Sequence, residues 1–595
     1  MDDRRPKGLQ DPAYCLLWRF FIYGIGVRMP RLEWVVAPEP DYRRVDELAK
    51  SIGIPNIIVK ILLNRGLETG EQIQSFIDPK MDDLADPFKI DGMDKAVERL
   101  VDALRNNEKI MVYGDYDVDG ITASALMFLV LNKLGAQVVY YLPNRLVEGY
   151  GLSEDGINEA IEKGVTLIVT VDTGVTAVEE VEFARDHGID VLVTDHHEPG
   201  ETLPNCSSIV NPKVDKESEH GNELAGVGVA FKVAQALYRR LQQDEQELEQ
   251  HLDLVALGTS ADIVPLVHEN RILTKYGIRQ IVRTTKPGLK KLVFVSGLMG
   301  KEISTGQVVF ILAPRINAIG RLGDAAQAIK LLTTRDERSA AEIARFLDEE
   351  NRRRKAIDEK TLNEALEQIE RTVDLENDKA IVLESSGWHQ GVIGIVASRL
   401  VEKYYLPTVL ISIDNEVGKG SARSIPAFHM YEALKDCGDI LLRFGGHKYA
   451  AGLSIEPQHV PEFRHRLKQI AKERLNVDDL TPKLNIDAEL DLDDIDMDFV
   501  KTIEMFAPFG PQNMRPIFLT RNLNIVGQPY VVGRNHLKMK VRRGEKDFDV
   551  IGFGFGDHAH NLAMRGVDVD MAYVVEANTY YEQPRIQLRV KDLHY

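Results

Sequence analysis

The chain's densest chemistry is Gly114-Asp115-Tyr116-Asp117-Val118-Asp119-Gly120, three carboxylates at alternate positions directly after the apolar run Lys109-Ile110-Met111-Val112-Tyr113. Carboxylates this close repel one another and resist joint ionisation. A hard divalent cation removes that conflict, and oxygen ligands suit Mg²⁺ or Mn²⁺. Two more apolar runs end on similar residues. Leu167-Ile168-Val169-Thr170-Val171 leads into Asp172-Thr173-Gly174, and Asp190-Val191-Leu192-Val193-Thr194 leads into Asp195-His196-His197. Imidazole together with carboxylate suits Mn²⁺ better than Mg²⁺. Two such ions roughly 3.5–4 Å apart can clamp a phosphoryl centre and generate hydroxide. For any one of these acids alone, the ordinary explanation is a cap on a strand-to-helix turn. For Asp117, Asp119, Asp172, His196 and His197 as a set, metal binding explains more.

The elements that must position them follow from periodicity. Lys109–Tyr113, Gln137–Leu142, Thr166–Val171 and Asp190–Thr194 read as strands, with helices predicted at Ile121–Leu134, Ser153–Lys163 and Val178–His187. Short repeats of this kind predict an α/β, doubly wound parallel sheet, with ligands at the carboxyl ends of its strands. Residues 224–284 read as largely helical, and 335–372 as one extended helix without Gly or Pro. A second, smaller α/β pattern begins near Lys379: strand Ala380–Leu383, helix Gly394–Tyr404, strand Thr408–Ser412. A glycine-rich turn is predicted at Gly418–Ser424, followed by Phe444-Gly445-Gly446-His447. After residue 482 the pattern is strand-like: Arg521–Gly527, His536–Val541, Phe548–Phe553, Met571–Ala577 and Arg585–Val590, the spacing of a small closed barrel. The expected domains are an N-terminal extension (1–45), a catalytic domain (46–334), a connecting helix (335–375), a smaller α/β domain (376–480) and a barrel (481–595).

A chain of 595 residues exceeds a single core. Its 44% hydrophobic and 28% charged content is that of an ordinary soluble globular protein. The three cysteines, Cys15, Cys206 and Cys437, form neither a zinc spacing nor a disulfide framework, which fits a reducing cytoplasm. The apolar stretch Cys15–Tyr23 is interrupted by Arg19 and is too short for a membrane span. A second Met at position 29 leaves the true start open, so residues 1–28 are set aside from fold reasoning. The net charge of −19, taken alone, argues against a nonspecific nucleic-acid binder. It is compatible with an acidic metal site beside a local basic groove.

Asp-x-Asp-x-Asp-Gly, Val-Asp-Thr-Gly, Asp-His-His and Gly-Thr-x-Ala-Asp stand here in the order of the DHH phosphoesterases. The chain resembles that family, and within it the exonucleases specific for single-stranded DNA, over nearly its whole length after residue 40. Leu257-Gly258-Thr259-Ser260-Ala261-Asp262-Ile263-Val264-Pro265-Leu266, Pro314-Arg315-Ile316-Asn317-Ala318-Ile319-Gly320-Arg321 and Phe444-Gly445-Gly446-His447 share in the resemblance. It implies a DHH domain, a DHHA1-like second domain and an OB-like barrel. It implies that Asp117 holds one divalent cation and Asp119 the other, with Asp172 between them. His196 and Asp262 would complete the second ion, and Asp115 and Asp195 would sit in or just behind the shell. His197 would face the scissile phosphate, making His197 and Asp195 the catalytic pair. Some relatives carry a His at the position of Tyr113, so one coordination place is open. Asp253 rivals Asp262 as the fourth motif's acid, because it lies in an apolar helical run where an unpaired charge is costly.

The resemblance also implies a path for substrate. Arg145 would lie near the terminal 5′ phosphate, with an ordinary solvated loop arginine as the alternative. Ser421, Arg423 and His447 would line the second domain's phosphate site. Arg315 and Arg321 would contact the DNA backbone from a loop around Asn317, the alternative being salt-bridged surface groups. On the barrel, Tyr530, Arg534, His536, Lys538, Lys540, Arg542 and Arg543 form a basic, partly aromatic surface suited to a single strand. The expected function is a Mn²⁺- or Mg²⁺-dependent 5′-to-3′ exonuclease on single-stranded DNA, in repair and recombination. Its activity is expected to fall at acid pH as His196 gains a proton. Single-strand-binding protein and a helicase are implied partners. A phosphodiesterase for short oligonucleotides or cyclic dinucleotides and a non-catalytic replication scaffold are the alternatives.

Overall fold

The computed structural model describes residues 32–144, 148–149, 151–214, 221–322, 325–414, 416–564, 568–578 and 583–595, the side chains of 321 and 322 excepted. They form two compact units. One comprises residues 79–354 with 508–513, and the other the described residues of 1–78, 355–507 and 514–595. No described helix is long and apolar enough to cross a membrane.

In the first unit, β1 (Lys109–Gly114), β2 (Gln137–Tyr141), β3 (Leu167–Val171), β4 (Asp190–Thr194) and β5 (Ser208–Val210) make one parallel sheet of order β2-β1-β3-β4-β5. The predicted doubly wound sheet is present. Alternate residues of β1 feed opposite cores: Ile110 and Val112 enter one, Met111 and Tyr113 the other. That two-sided burial is why these strands read as unbroken apolar runs. The three-residue β5 was not foreseen, being too short to carry a pattern. The helix Val118–Lys133 starts earlier than predicted because Asp117 caps it, its Oδ1 accepting from the Asp119 and Gly120 amides. It is buried on nearly every side, among helices Gly226–Arg240 and Leu252–Asp262.

In the second unit, β6 (Ile381–Ser385), β7 (Thr408–Asp414), β8 (Val417–Arg423), β9 (Arg443–Gly446) and β10 (Ala450–Ile455) form a mixed sheet of order β9-β10-β8-β7-β6. Here the predicted glycine turn at 418–424 is corrected. It is strand β8, paired with β7 and β10 along its length. A Cβ on Gly418 would lie 2.9 Å from Ile411 Cγ2, and one on Gly420 would lie 2.7 Å from Leu453 Cγ. Those glycines make room for branched neighbours across the pleat and do not turn the chain. The helix Gln390–Tyr404 covers one face of this sheet together with Leu362, Leu366 and Ile369 of the long helix Glu337–Thr372.

The same unit holds the barrel. β11 (Phe518–Ile525), β12 (His536–Arg543), β13 (Lys546–Phe553), β14 (Asp568–Asn578) and β15 (Arg585–His594) close into a ring, since β11 pairs with both β14 and β12. Along β12, Leu537, Met539 and Val541 are buried while His536, Lys538, Lys540 and Arg542 lie on the outer face. Helices Asn56–Asn64 and Gly70–Ile77 also belong to this unit, although residues 46–78 were expected with the catalytic domain. Arg65 Nη2 donates to the Met514 carbonyl at 2.7 Å, and the rings of Phe76 and Phe506 meet at 5.4 Å. An amphipathic helix declares that it has an apolar partner and not which one.

Within the first unit, helix His268–Val282 lies backbone to backbone against Leu252–Asp262. A Cβ on Gly277 would fall 2.2 Å from the Leu252 carbonyl oxygen and 2.5 Å from Ala256 Cβ. On an open helix, Gly→Ala gains up to about 1 kcal/mol. Here overpacking reverses the sign, and Gly277→Ala is expected to lose about 1–3 kcal/mol. Scanning calorimetry checks this: a lowered transition for the first unit is expected, and an unchanged or raised one contradicts the packing.

Candidate metal centre

The sheet order reverses between β1 and β3, and ligand sites of open α/β sheets lie at that switch point. Asp115 to Asp119 follow β1, Asp172 follows β3, and Asp195 to His197 follow β4. Each acid is held by local structure. The Asp119 carboxylate receives the first amides of the helix Gly226–Arg240, Oδ2 from Gly226 N at 2.6 Å and Oδ1 from Val227 N at 2.9 Å. The positive end of that helix thus holds an acid in place. Asp172 stands in the left-handed region at φ +62°, a conformation that Asp and Asn tolerate better than other side-chain-bearing residues. Asp262 ends the helix Leu252–Asp262, and the next residue, the β-branched Ile263, is left-handed at φ +70°. Strain of that kind persists only where the surroundings enforce it.

These segments bring six predicted ligands together. His196 Nε2 lies 3.0 Å from Asp172 Oδ1, 3.6 Å from Asp262 Oδ2 and 3.9 Å from Asp119 Oδ2. Asp115, Asp117 and Asp172 form a second group whose oxygens lie within 4.8 Å of one another. Asp172 therefore belongs to both clusters. Burial, then the charge of Asp262, raises the carboxyl of Asp117. Burial with the charges of Asp262 and Asp117 lifts Asp119 well above the usual carboxylate range, and burial with Asp119 and Asp117 does the same to Asp172. Burial lowers His196 to about 4, so its ring is neutral at physiological pH. Neither of its ring nitrogens makes a hydrogen bond among the described residues. Crowded acids and a neutral, buried imidazole facing them are a donor set that divalent cations fit.

Asp195 has a different place. Its Oδ1 accepts from the amides of His196 and His197 at 2.7 and 3.1 Å and lies 2.7 Å from His197 Nδ1, while Oδ2 accepts from Val175 N at 2.9 Å. Burial would raise Asp195, but the hydrogen bond and charge of His197 outweigh it and hold the carboxyl low. Burial would lower His197, but its bond to Asp195 and the surrounding acids raise it to about 9. A carboxylate at this distance favours a proton on His197 Nδ1.

The remaining candidates separate by position. Asp253 is fully buried and accepts from Thr284 Oγ1 at 2.7 Å and Lys286 Nζ at 2.8 Å, so its charge is engaged within the fold. Tyr113 is buried; its hydroxyl donates to Gly151 O at 3.3 Å and accepts from Ser153 N at 3.1 Å. The segment around Asn317 is the helix Ala313–Leu322, not the expected loop. On it, Arg315 is paired with Asp348 at 2.9 Å. The side chain of Arg321 and all of Arg145 lie outside the described residues. In the second unit, Arg423 Nη1 donates to Ser421 Oγ at 3.1 Å beside Gly394 of the helix Gln390–Tyr404. His447 lies in the turn between β9 and β10. Sequence reasoning missed Gly226 and Gly258 as structural parts of the site. A Cβ on Gly226 would lie 2.5 Å from Asp172 Oδ1, and one on Gly258 2.7 Å from Asp119 Oδ1. The available signal was glycine inside a helical pattern.

Comparison with known proteins follows the same division. Residues 109–259 match the DHH family, N-terminal domain, residues 377–473 the DHHA1 domain, and residues 486–592 the RecJ OB domain. The single-stranded-DNA-specific exonuclease RecJ of Bacillus subtilis (strain 168) is 39% identical over 94% of this chain and 71% of its own length. The crystal structure of RecJ from Thermus thermophilus in complex with Mn²⁺ aligns with TM-score 0.82 and 30% identity, covering 95% of this chain and 80% of that one. The same organism's RecJ in complex with Mg²⁺ aligns at TM-score 0.76 and 28% identity, with 95% and 79% covered. The three matched domains, the parallel sheet with its acids at the switch point and this shared identity give one conclusion: the chain belongs to the RecJ family of DHH phosphoesterases.

Proposed function

We propose that this chain is a Mn²⁺- or Mg²⁺-dependent exonuclease that removes mononucleotides from the 5′ end of single-stranded DNA, in the cytoplasm, during repair and recombination. The observation that carries the proposal is the approach of three carboxylates, Asp119, Asp172 and Asp262, to within 3.9 Å of the buried His196 Nε2. Asp115, Asp117 and Asp172 would hold one cation, and Asp119, Asp172, His196 and Asp262 the other. Bound there, two divalent ions would supply Lewis-acid stabilisation of phosphoryl oxygens and activation of water. His197, its Nδ1 held by Asp195, would give a proton from Nε2 to the 3′ oxygen that leaves when the phosphorus–oxygen bond breaks. Asp195 would keep that imidazole oriented and charged.

Ser421 and Arg423 suit an anion such as the terminal phosphate, and Arg145 is proposed to share that role on the strength of the resemblance. Arg321 and His447 are proposed to contact the strand, whereas Arg315 is already committed to Asp348. The outer face of β12 suits backbone attraction and base stacking. The barrel favours long strands over dinucleotides, against the short-oligonucleotide alternative. Single-strand-binding protein and a helicase are proposed partners, again from the resemblance.

Asp172→Asn tests the centre with least disturbance, since Asn tolerates the left-handed backbone whereas Ala would add about 1–2 kcal/mol of strain. Losing a shared ligand is expected to remove several kcal/mol of stabilisation, a rate loss of about a thousandfold or more. Relief of repulsion should leave the metal-free variant at least as heat-stable as the wild type. Full activity in the variant defeats the assignment.

The acid-pH expectation attached to His196 is revised. A group lowered to about 4 stays neutral through the range in which the raised carboxyls of Asp119 and Asp172 compete for protons. Cation binding must displace those protons, so affinity for Mn²⁺ is expected to weaken as the pH is lowered. Calorimetric titration in two buffers of different ionisation enthalpy measures the released protons; a pH-independent affinity with no release contradicts this assignment.

Polarity is read by digesting the same single strand labelled at either end. With Mn²⁺, the 5′ label should appear at once as a mononucleotide and the 3′-labelled strand should shorten stepwise. The reverse order refutes the polarity. Faster hydrolysis of a dinucleotide supports the short-oligonucleotide alternative, and no cleavage at all supports the scaffold.

A further inference from the structure

We propose that the helix Ala313–Leu322 is a positioning element of the metal centre, with Gly320 as its contact and Asp348 as its anchor; this rests on the reading that Asp115 and Asp117 hold a cation. The helix lies behind the loop that carries those acids. A Cβ on Gly320 would fall 2.7 Å from the Tyr116 carbonyl oxygen. Tyr116 is the residue between Asp115 and Asp117. A backbone carbonyl has no rotamer by which to retreat, so any side chain at 320 must move the loop itself. Asp117 would move with it, and so would the cap that starts the helix bearing Asp119.

The stop is useful only if it is stiff, and its fixings are visible. Arg315 donates from Nε to Asp348 Oδ1 at 2.9 Å and from Nη1 to the Ile311 carbonyl at 2.5 Å. Ile311 belongs to the π-helical turn Val308–Leu312 that leads into this helix. Such turns free carbonyls from the regular ladder and recur at functional sites. Asp348 is 6% exposed, and its second oxygen accepts from Arg352 Nη2 at 2.6 Å. A buried carboxylate held by two guanidinium groups is strongly directional. Asp348 and Arg352 both lie on the long helix Glu337–Thr372. An unbroken run of contacts therefore passes from the long helix through Asp348 and Arg315 to Gly320, then to Tyr116 and the two acids. This approach accounts for a glycine in the helix, where it is otherwise disfavoured by about 1 kcal/mol relative to Ala.

The full-length protein tests this with three variants, Gly320→Ala, Asp348→Asn and Asp117→Asn, titrated with Mn²⁺ by calorimetry and assayed on a single-stranded oligonucleotide. Residues that orient metal ligands typically change affinity or activity by about 10–100-fold. Gly320→Ala is expected to weaken Mn²⁺ binding and lower kcat within that range, with KM for the oligonucleotide unchanged within about twofold. Asp348→Asn, which keeps the side chain's shape, should shift both in the same direction by about tenfold, and it carries the test alone if Gly320→Ala does not fold. Wild-type Mn²⁺ affinity in both, beside lost affinity in Asp117→Asn, overturns the positioning role while leaving the metal assignment standing. Wild-type affinity in Asp117→Asn overturns the metal assignment and this inference with it.

Discussion

The repulsion among buried carboxylates dominates this protein. Asp117, Asp119 and Asp172 stand in a pocket where burial already disfavours charge, and neighbouring acids raise each of them further. Folding alone gives no reason to assemble such a group, because a buried unpaired charge is strongly destabilising. The remainder of the catalytic unit works against that repulsion. The first amides of one helix hold Asp119, a left-handed turn holds Asp172, and a strained helix end presents Asp262. Divalent cations convert the same repulsion into binding energy, which is why the acids and the family's metal complexes belong to one explanation.

Much of this was legible in the residues because the parallel sheet imposes a simple rule. Its strands are buried on both faces, so they appear as apolar runs, and the first polar residues after them mark the functional edge. Asp115, Asp172 and Asp195 each follow such a run. What could not be read was the third dimension between distant segments. Asp253 and Asp262 are alike in composition and lie on one helix, yet only Asp262 reaches the cluster, while Asp253 turns to Thr284 and Lys286. Arg315 reads as a phosphate ligand by type but is engaged by Asp348, a pairing thirty-three residues away.

Glycine was the most misleading letter. At 418 and 420 it signals a turn by local preference, but there it serves as the small residue of a crowded strand. At 226 and 258 it reads as a flaw in a helix and at 320 as part of a loop, but in all three places it lets backbone approach the acids or the loop that carries them. The same chemical fact, the missing Cβ, has opposite consequences according to what lies opposite. The helices of residues 46–78 show the corresponding limit for domain boundaries, since periodicity fixes their apolar faces and leaves the receiving core unspecified.

Anomalous diffraction from crystals of the full chain soaked in Mn²⁺ measures the decisive quantity, the place and number of cations. Two peaks roughly 3.5–4 Å apart are predicted, one bounded by Asp115, Asp117 and Asp172 and the other by Asp119, Asp172, His196 and Asp262. Ordered Mn²⁺ that avoids these side chains, with the acids instead protonated and bonded to one another, would contradict the claim that repulsion among them exists to be relieved by metal.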